Sequence, residues 1–147
     1  ARVFPLRYFR PATLANAGTI GGTLDVVFSA ITNTGATVGS SYFADGVGNL
    51  GGVAQMAAYM DVDGSNTWSS GDIGLKSDGS TYTFGANPAL NYAGIDAYAG
   101  KTYASVSTLA GGASTKLIVA WNVPTAAGNN IQGDAVSFNL TFNLNQA

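Results

Sequence analysis

Apolar and polar side chains alternate strictly near the end of the chain, and this alternation constrains the fold more than any other feature. Five apolar residues occupy every second position of this segment. They are Val136, Phe138, Leu140, Phe142 and Leu144, with Ser137, Asn139, Thr141 and Asn143 between them. Because successive side chains of a strand point to opposite faces, this period predicts a strand with one apolar and one polar face.

Residues 116–123 show the same period with a difference on the second face. The first face carries Leu117, Val119, Trp121 and Val123. The opposite face carries Ile118 and Ala120, so it is apolar as well. We therefore predict a central strand that is covered on both sides and ends at Pro124, which cannot donate to a ladder.

Another strand is predicted near the start, where Leu24, Val26, Phe28 and Ala30 lie on one face and alternate with Asp25, Val27 and Ser29. Weaker candidates lie at residues 53–62, 81–84 and 102–108. Within 53–60 helix propensity competes with the strand pattern. Gly51 and Gly52 before this segment and the turn-like residues 61–64 after it favour a strand.

Short alternating segments separated by scattered glycines, of which the chain has 20, are typical of a sandwich or barrel. The sequence therefore predicts an all-β fold: a jelly-roll-like β-sandwich of about eight to ten strands in two sheets, with an extended N-terminal donor strand. We assign residues 1–14 to the donor strand, residues 15–22 to a linker and residues 23–147 to one sandwich domain. No internal repeat or second domain is evident.

Charge is scarce. Only 10% of the 147 residues are charged and the net charge is −2, whereas about a quarter of residues are charged in ordinary soluble domains. A surface of uncharged polar residues suits a protein that packs against copies of itself; a secreted domain from an unusual environment is the alternative. Without a basic patch we expect no nucleic-acid partner, and without an apolar run of about 18 residues we expect no transmembrane segment.

The residue types that most enzymes use are missing. The chain has no His, no Cys and no Glu, since its eight acidic residues are all Asp. This excludes His-dependent triads, thiolate chemistry and His-type metal sites. An Asp pair or a Ser–Lys pair remains open to an Asp-dependent hydrolase, but no catalytic signature is present. We therefore expect no enzyme and assign no catalytic or cofactor-binding residue.

The first ten residues, ARVFPLRYFR, combine bulky apolar groups with three of the six cations and precede a stretch of small residues. In this segment we predict a polymerisation donor strand formed by Val3, Phe4, Leu6, Tyr8 and Phe9. Such a strand would add to the sheet of a neighbouring identical subunit. An ordinary first strand in its own sheet is the alternative. Pro5 lacks an N–H, so the donor must bulge there or present Pro5 where no partner is required.

Residues 61–72 place oxygen-bearing side chains at alternating positions and end on a carboxylate. The candidate calcium ligands are Asp61, Asp63, Ser65 and Asp72. Calcium prefers six to eight oxygen ligands, but an EF-hand loop would have Gly at the position of Asn66 and Glu at that of Asp72. The alternative is a hairpin loop whose Asp side chains accept hydrogen bonds from nearby backbone groups.

Two further features concern processing. Asn139-Leu140-Thr141 is the only N-glycosylation sequon, so Asn139 is a candidate acceptor on the polar face of the last strand. The chain begins at Ala1 rather than Met. We therefore expect a mature, secreted form from which any leader has been removed.

The C-terminal third, WNVPTAAGNNIQGDAVSFNLTFNLNQ, resembles the tail of archaeal proteins related to TasA and camelysin. The matching positions are Trp121, Val123, Pro124, Gly128, Asn129, Gln132, Gly133, Asp134, Phe138, Phe142 and Gln146. The segment Gly22–Val26 is similar to the opening of the first strand in that family. The resemblance covers about a third of the chain. Some camelysin relatives are classed as metalloproteases, an activity that a chain without His should not inherit.

The resemblance implies a secreted jelly-roll subunit of biofilm fibres or bundling pili, polymerised by an N-terminal donor strand. We therefore expect an extracellular, cell-surface homopolymer that can contact other cells or filaments. The alternative is a monomeric surface β-sandwich module that binds calcium or glycan through its loops.

Overall fold

The computed structural model describes residues 7–40 and 44–146, and the elements in them are almost all strands. The strands are β1 (Arg7–Ala15), β2 (Gly22–Phe28), β3 (Thr32–Thr34), β4 (Gln55–Asp61), β5 (Ile73–Leu75), β6 (Thr81–Thr83), β7 (Ala93–Gly94), β8 (Thr102–Leu109), β9 (Ser114–Asn122), β10 (Ala135–Ser137) and β11 (Leu140–Gln146). The helical elements are α1 (Leu50–Val53) and two 3-10 turns, Ile95–Tyr98 and Asn129–Ile131.

In the described part of the chain, all strand pairs are antiparallel and form three sheets. The largest has the order β1-β9-β4-β5-β6, with β7 added to β4; the second has the order β11-β2-β8, and β10 pairs with β3 in the third. This confirms the predicted all-β sandwich. Within the described residues there are eleven strands rather than eight to ten, because two-residue and three-residue segments also pair.

The core lies between the two larger sheets. Along β2 every second residue is buried, with Leu24, Val26 and Phe28 at most 2% exposed. The inner face of β4 contributes Met56 and Met60 to the same core. Alternation places these apolar side chains between the sheets and leaves their neighbours outside.

A smaller aromatic cluster covers the outer face of the largest sheet. Trp68 contacts Tyr59 at 5.4 Å, Tyr82 at 5.1 Å and Phe84 at 5.9 Å between ring centroids. The indole Nε1 of Trp68 also donates to the Asn87 carbonyl at 3.2 Å. This cluster buries Tyr59 completely on the side of β4 that faces away from the core.

The prediction of a central strand near residue 118 is confirmed, because β9 pairs with β1 on one side and with β4 on the other. Ile118 and Ala120 are each at most 1% exposed. The strand predicted around residue 55 is also present as β4. Its first predicted residue, Val53, instead closes the single turn of α1.

The predicted last strand is interrupted. Its first part, β10, pairs with β3, whereas β11 pairs with β2. The register shifts by one residue between these two ladders, since Ser137 faces Thr32 but Leu140 faces Phe28. The extra residue lies on the partner segment, between Phe28 and Thr32. It interrupts the ladder there, while apolar and polar residues continue to alternate from β10 to β11.

Residues 7–15 form a strand of their own chain, which differs from the predicted donor strand over 1–14. Arg7 faces Asn122, the last residue of β9, and Ala15 faces Ser114. Tyr8 and Phe9 therefore belong to the largest sheet. Because β1 is an edge strand, it can contain Pro11 without losing a required hydrogen bond. The other predicted donor residues, Val3, Phe4 and Leu6, lie outside the described residues.

The predicted linker over 15–22 is shorter and is fixed in place. Ala15 ends β1 and Gly22 begins β2. Between them, the Asn16 side chain donates to the Ile20 carbonyl at 2.8 Å and to the Leu109 carbonyl at 3.3 Å. Asn16 is only 6% exposed. Its hydrogen bonds therefore fix the connection between β1 and β2, although the small side chains of this segment predicted a flexible linker.

Candidate functional site

An apolar groove of about 470 Å³ opens between the sheets of the sandwich. One wall comes from β4 and β9 and includes Met56, Val119 and Trp121. The facing wall comes from the last strands and their connection and includes Val136, Phe138 and Leu140. The groove therefore separates two apolar surfaces that a closed sandwich would pack against each other.

The strand beside this groove is incompletely covered. Leu140, Phe142 and Leu144 point inward from β11 but are only half-buried. Their partners on β2, such as Val26 opposite Phe142, are fully buried. Within the described residues, β11 pairs with β2 alone, so its second edge has no strand beside it. A free edge next to half-buried apolar side chains is suited to accept an added strand.

Two residues of β1 stand at the same groove. Arg10 contributes to its wall, and Tyr8 stacks on Trp121 with 4.4 Å between ring centroids. Tyr8 is nevertheless 46% exposed. The start of β1 thus lies against the groove wall and leaves the facing strands uncovered.

The three Asp residues predicted as calcium ligands come together. Asp61 ends β4, Asp72 immediately precedes β5, and Asp63 lies in the loop between them. One carboxylate oxygen from each lies within 4.8 Å of the other two. Asp61 is 1% exposed and Asp72 is 0% exposed. Like charges this close and this sheltered repel one another unless something compensates them.

Hydrogen bonds from the loop hold these carboxylates. Asp72 accepts from the Val62 N–H and the Ser69 N–H, each at 2.9 Å. The Ser69 hydroxyl also links Asp63 and Asp72, at 3.0 Å and 3.3 Å. Sequence analysis did not single out Ser69, because its role depends on the loop folding back onto Asp63.

The candidate ligand Ser65 has a different role from the three carboxylates. Its N–H donates to Asp63 Oδ1 at 2.9 Å, and its hydroxyl bonds to the Thr67 carbonyl at 3.0 Å. Hydrogen bonding by Ser65 lowers the pKa of Asp63 to about 2, with a further contribution from the Ser69 hydroxyl. Asp63 is therefore an anion at neutral pH.

Asn66 stands where an EF-hand loop has glycine, and its backbone explains the substitution. Its φ of 60° lies in the left-handed region, which Asn tolerates better than most non-glycine residues. In that conformation its N–H donates to Asp61 Oδ2 at 2.9 Å. The mismatch seen in the sequence therefore does not prevent the tight turn that such a loop needs.

The Tyr59 hydroxyl lies near the acidic cluster on the same face of β4 as Asp61. Burial raises the pKa of Tyr59 to about 12, and the negative charges of Asp61, Asp72 and Asp63 add to the rise. Tyr59 is therefore a neutral hydroxyl throughout the physiological pH range.

The sequon residue Asn139 is exposed but lies between β10 and β11 rather than on a continuous last strand. Its N–H donates to the Ser29 hydroxyl at 2.8 Å, and its carbonyl accepts from the Ser29 N–H at 2.9 Å. The side chain remains accessible to solvent, so the sequon stays a prediction.

Comparison of the chain with protein-family models, curated proteins and solved structures finds no significant match. In the part of the chain that the structure describes, no helix has the length and apolarity required to span a bilayer.

Proposed function

We propose that this chain is the structural subunit of an extracellular filament, a pilus or biofilm matrix fibre, in which the N-terminal segment of one copy completes the β-sandwich of the next. The observation that carries this proposal is the apolar groove beside the free edge of β11. An added strand there would pair with β11 and cover its half-buried inner face.

The occupant that we propose is the segment 1–6 of a second copy, shorter than the predicted donor. In its own chain β1 begins at Arg7, opposite the last residue of β9. The six residues that precede it, ARVFPL, include Val3, Phe4 and Leu6. At about 3.3 Å per residue they span roughly 20 Å, against about 23 Å for the seven residues of β11. The lengths of donor and acceptor therefore match.

Pro5 is compatible with this position. A strand added to β11 would become the new edge of its sheet, and half of its backbone groups would face away from β11. Pro5 can occupy one of those outward positions without loss of a ladder bond. Phe4 and Leu6 would then both pair with β11 through their backbones and share the face that fills the groove.

The energetics require the groove as well as the peptide. Burial of Phe4 and Leu6 contributes about 3–6 kcal/mol at about 1.5–3 each, whereas association costs about 4–15 kcal/mol. The donor side chains alone are therefore marginal. Covering Leu140, Phe142 and Leu144 of the acceptor supplies additional apolar burial that a peptide on a flat surface would not obtain.

Composition and resemblance support the same proposal. A chain with 10% charged residues and a net charge of −2 has little electrostatic repulsion between copies. The tail residues that resemble TasA-like subunits include Phe138, which lines the groove, and Phe142, which packs against the core from β11. We therefore propose identical subunits as the principal partners, with other filaments or cells as further contacts at the cell surface.

Electron microscopy and size-exclusion chromatography of the full chain and of a chain lacking residues 1–6 test the proposal. We expect filaments from the full chain and a folded monomer from the shortened chain, because β1 begins at Arg7 and is left intact. A synthetic peptide of residues 1–9 should bind the shortened chain in a one-to-one complex.

The matched control is the same peptide with Phe4→Asp and Leu6→Asp, which should not bind. Regular filaments from the shortened chain would refute donor-strand assembly. A full chain that stays monomeric under all conditions would instead favour the alternative of a monomeric surface module that binds calcium or glycan.

A further inference from the structure

The acidic cluster contains buried polar atoms whose hydrogen-bonding capacity is unused. Asp61 Oδ1 is buried and has no hydrogen-bond partner among residues 7–40 and 44–146. The same holds, over those residues, for the hydroxyl of Tyr59, whose side chain is 0% exposed. A buried carboxylate oxygen without a partner is strongly unfavourable. Asp61 Oδ1 and the Tyr59 hydroxyl lie on one face of β4, beside the three carboxylates. Two buried polar atoms without a partner at this place indicate that the site lacks a ligand.

No hydrogen bond from a cation among the described residues completes it. The hydrogen bonds that the described residues donate to the three carboxylates come from uncharged donors, chiefly backbone N–H groups and the hydroxyls of Ser65 and Ser69. Lys116 faces Asp61 across the β4–β9 ladder, but its ammonium donates to the Asn66 side-chain oxygen at 2.8 Å. The Lys116 ammonium is therefore used to position the loop through Asn66.

We propose that Asp61, Asp63 and Asp72 bind one calcium ion, with Asp61 Oδ1 as a ligand. The donor set consists of oxygens only, which selects a hard cation over zinc or copper. Three carboxylates, one in a loop and one at each of its ends, suit calcium, whereas magnesium usually takes one or two carboxylates and keeps its waters. Water and hydroxyl oxygens would complete the coordination.

The position of the site assigns it a structural role. Asp61 is the last residue of β4 and Asp72 the residue before β5, so a shared ion would join both ends of the loop over residues 62–71. This loop carries Trp68, which packs on Tyr59 and Tyr82. Calcium would thus hold the outer aromatic cluster against the sheet.

Titration of the full-length chain with calcium chloride in a calorimeter, after dialysis against a chelator, tests the proposal. We expect one ion per chain with a Kd of roughly 10⁻⁴–10⁻³ M, the range of extracellular calcium modules. About 10 mM calcium should then raise Tm by about 3–10 °C. Terbium, which substitutes for calcium, should become luminescent on excitation of the nearby aromatic cluster.

Asp63→Asn is the variant of choice because Asp63 is exposed, so its replacement does not endanger folding. We expect its affinity for calcium to fall at least about tenfold, since affinity follows the number of charged ligands. Asp78→Asn is the matched control. Asp78 accepts from the Ser80 N–H at 2.9 Å in the same local geometry as Asp63 with Ser65, but lies outside the cluster.

The proposal is overturned if the wild-type chain gives neither heat, terbium luminescence nor a Tm shift. It is also overturned if Asp63→Asn binds as tightly as the wild type, or if magnesium binds as tightly as calcium. None of these outcomes depends on filament formation, because all three ligands belong to one chain.

Discussion

The ring of Tyr8 stacks on that of Trp121 at 4.4 Å and an interplanar angle of 18°. The two residues face each other in the β1–β9 ladder, and Trp121 also forms part of the apolar groove. This pair therefore fixes the start of β1 against the wall of the groove.

Tyr8→Ala should lower the free energy of unfolding by about 1–2 kcal/mol, because it removes the stacked pair and part of the cover of Trp121. Urea unfolding followed by tryptophan fluorescence measures this change. Phe9→Ala is the matched control, since Phe9 is 51% exposed and lies on the other face of β1. Equal losses from both variants would show that the stacking contributes nothing specific.

Leu140→Asp should abolish filament formation and binding of the peptide of residues 1–9, because it places a charge in the groove where the donor would pack. Thr141→Asp, one residue later on the exposed face of β11, should leave both unchanged. Electron microscopy and peptide titration give the readouts, and near-ultraviolet circular dichroism checks that both variants fold. If Leu140→Asp folds and still polymerises, the donor does not enter this groove.

Asp25 should make the stability of the second sheet depend on pH. Its carboxylate accepts from the Ser105 N–H on β8 at 2.7 Å and from the Asn145 side chain on β11 at 2.8 Å. The Ser105 hydrogen bond, with that of Asn145, lowers the pKa of Asp25 below its ordinary value of 3.8. Stability from a lowered pKa is present above the unfolded value and is lost as the pH falls through the folded one.

Asp25→Asn should therefore lower the urea midpoint at pH 7, and lower it less at a pH well below 3.8. Urea titrations at both pH values measure the effect. Asp45→Asn serves as a control, since Asp45 accepts from the Val47 N–H within its own loop at 2.9 Å. A constant difference between wild type and Asp25→Asn across this pH range would contradict the assignment.

Gly74→Ala should destabilise the chain by about 1–3 kcal/mol, because its Cβ would overlap the ring of Tyr82 on the neighbouring strand. That ring cannot shift freely, since the Tyr82 hydroxyl accepts from the Asn91 N–H at 2.9 Å. Gly85→Ala is the control: a Cβ there meets nothing within 4 Å. Thermal unfolding that shows equal Tm values for the two variants would argue against the packing of Tyr82 on β5.

The period of two predicted the class of fold well because it depends only on which face of a strand is buried. Val26 and Leu117, both expected on an inner face, are at most 2% exposed. The break between β10 and β11 was not predictable in this way, because the unmatched residue lies on the partner segment, between Phe28 and Thr32. Pairing partners are long-range properties that a local pattern does not contain.

The acidic loop was predictable because its ligands are close in sequence, and Asp61, Asp63 and Asp72 do lie together. The groove was not predictable, since Trp121 and Leu140 become its opposite walls only through the stacking of two sheets. The pairing of residues 7–15 with β9 was not predicted for a related reason. An apolar segment can pair with a sheet of its own chain or with a sheet of a neighbouring copy, and its sequence does not distinguish the two.

The two faces of β4 lie in different surroundings, so β4 cannot shift by one residue along β9. Met60 is completely enclosed by the sandwich core, while Asp61, the next residue, joins the acidic cluster on the other side. A slip of β4 by one residue against β9 would turn the Asp61 carboxylate into the hydrophobic interior and move the Met60 thioether out of it. The register of β4 against β9 is thus fixed by two side chains that need opposite surroundings, and the loops before β4 can vary in length without changing it.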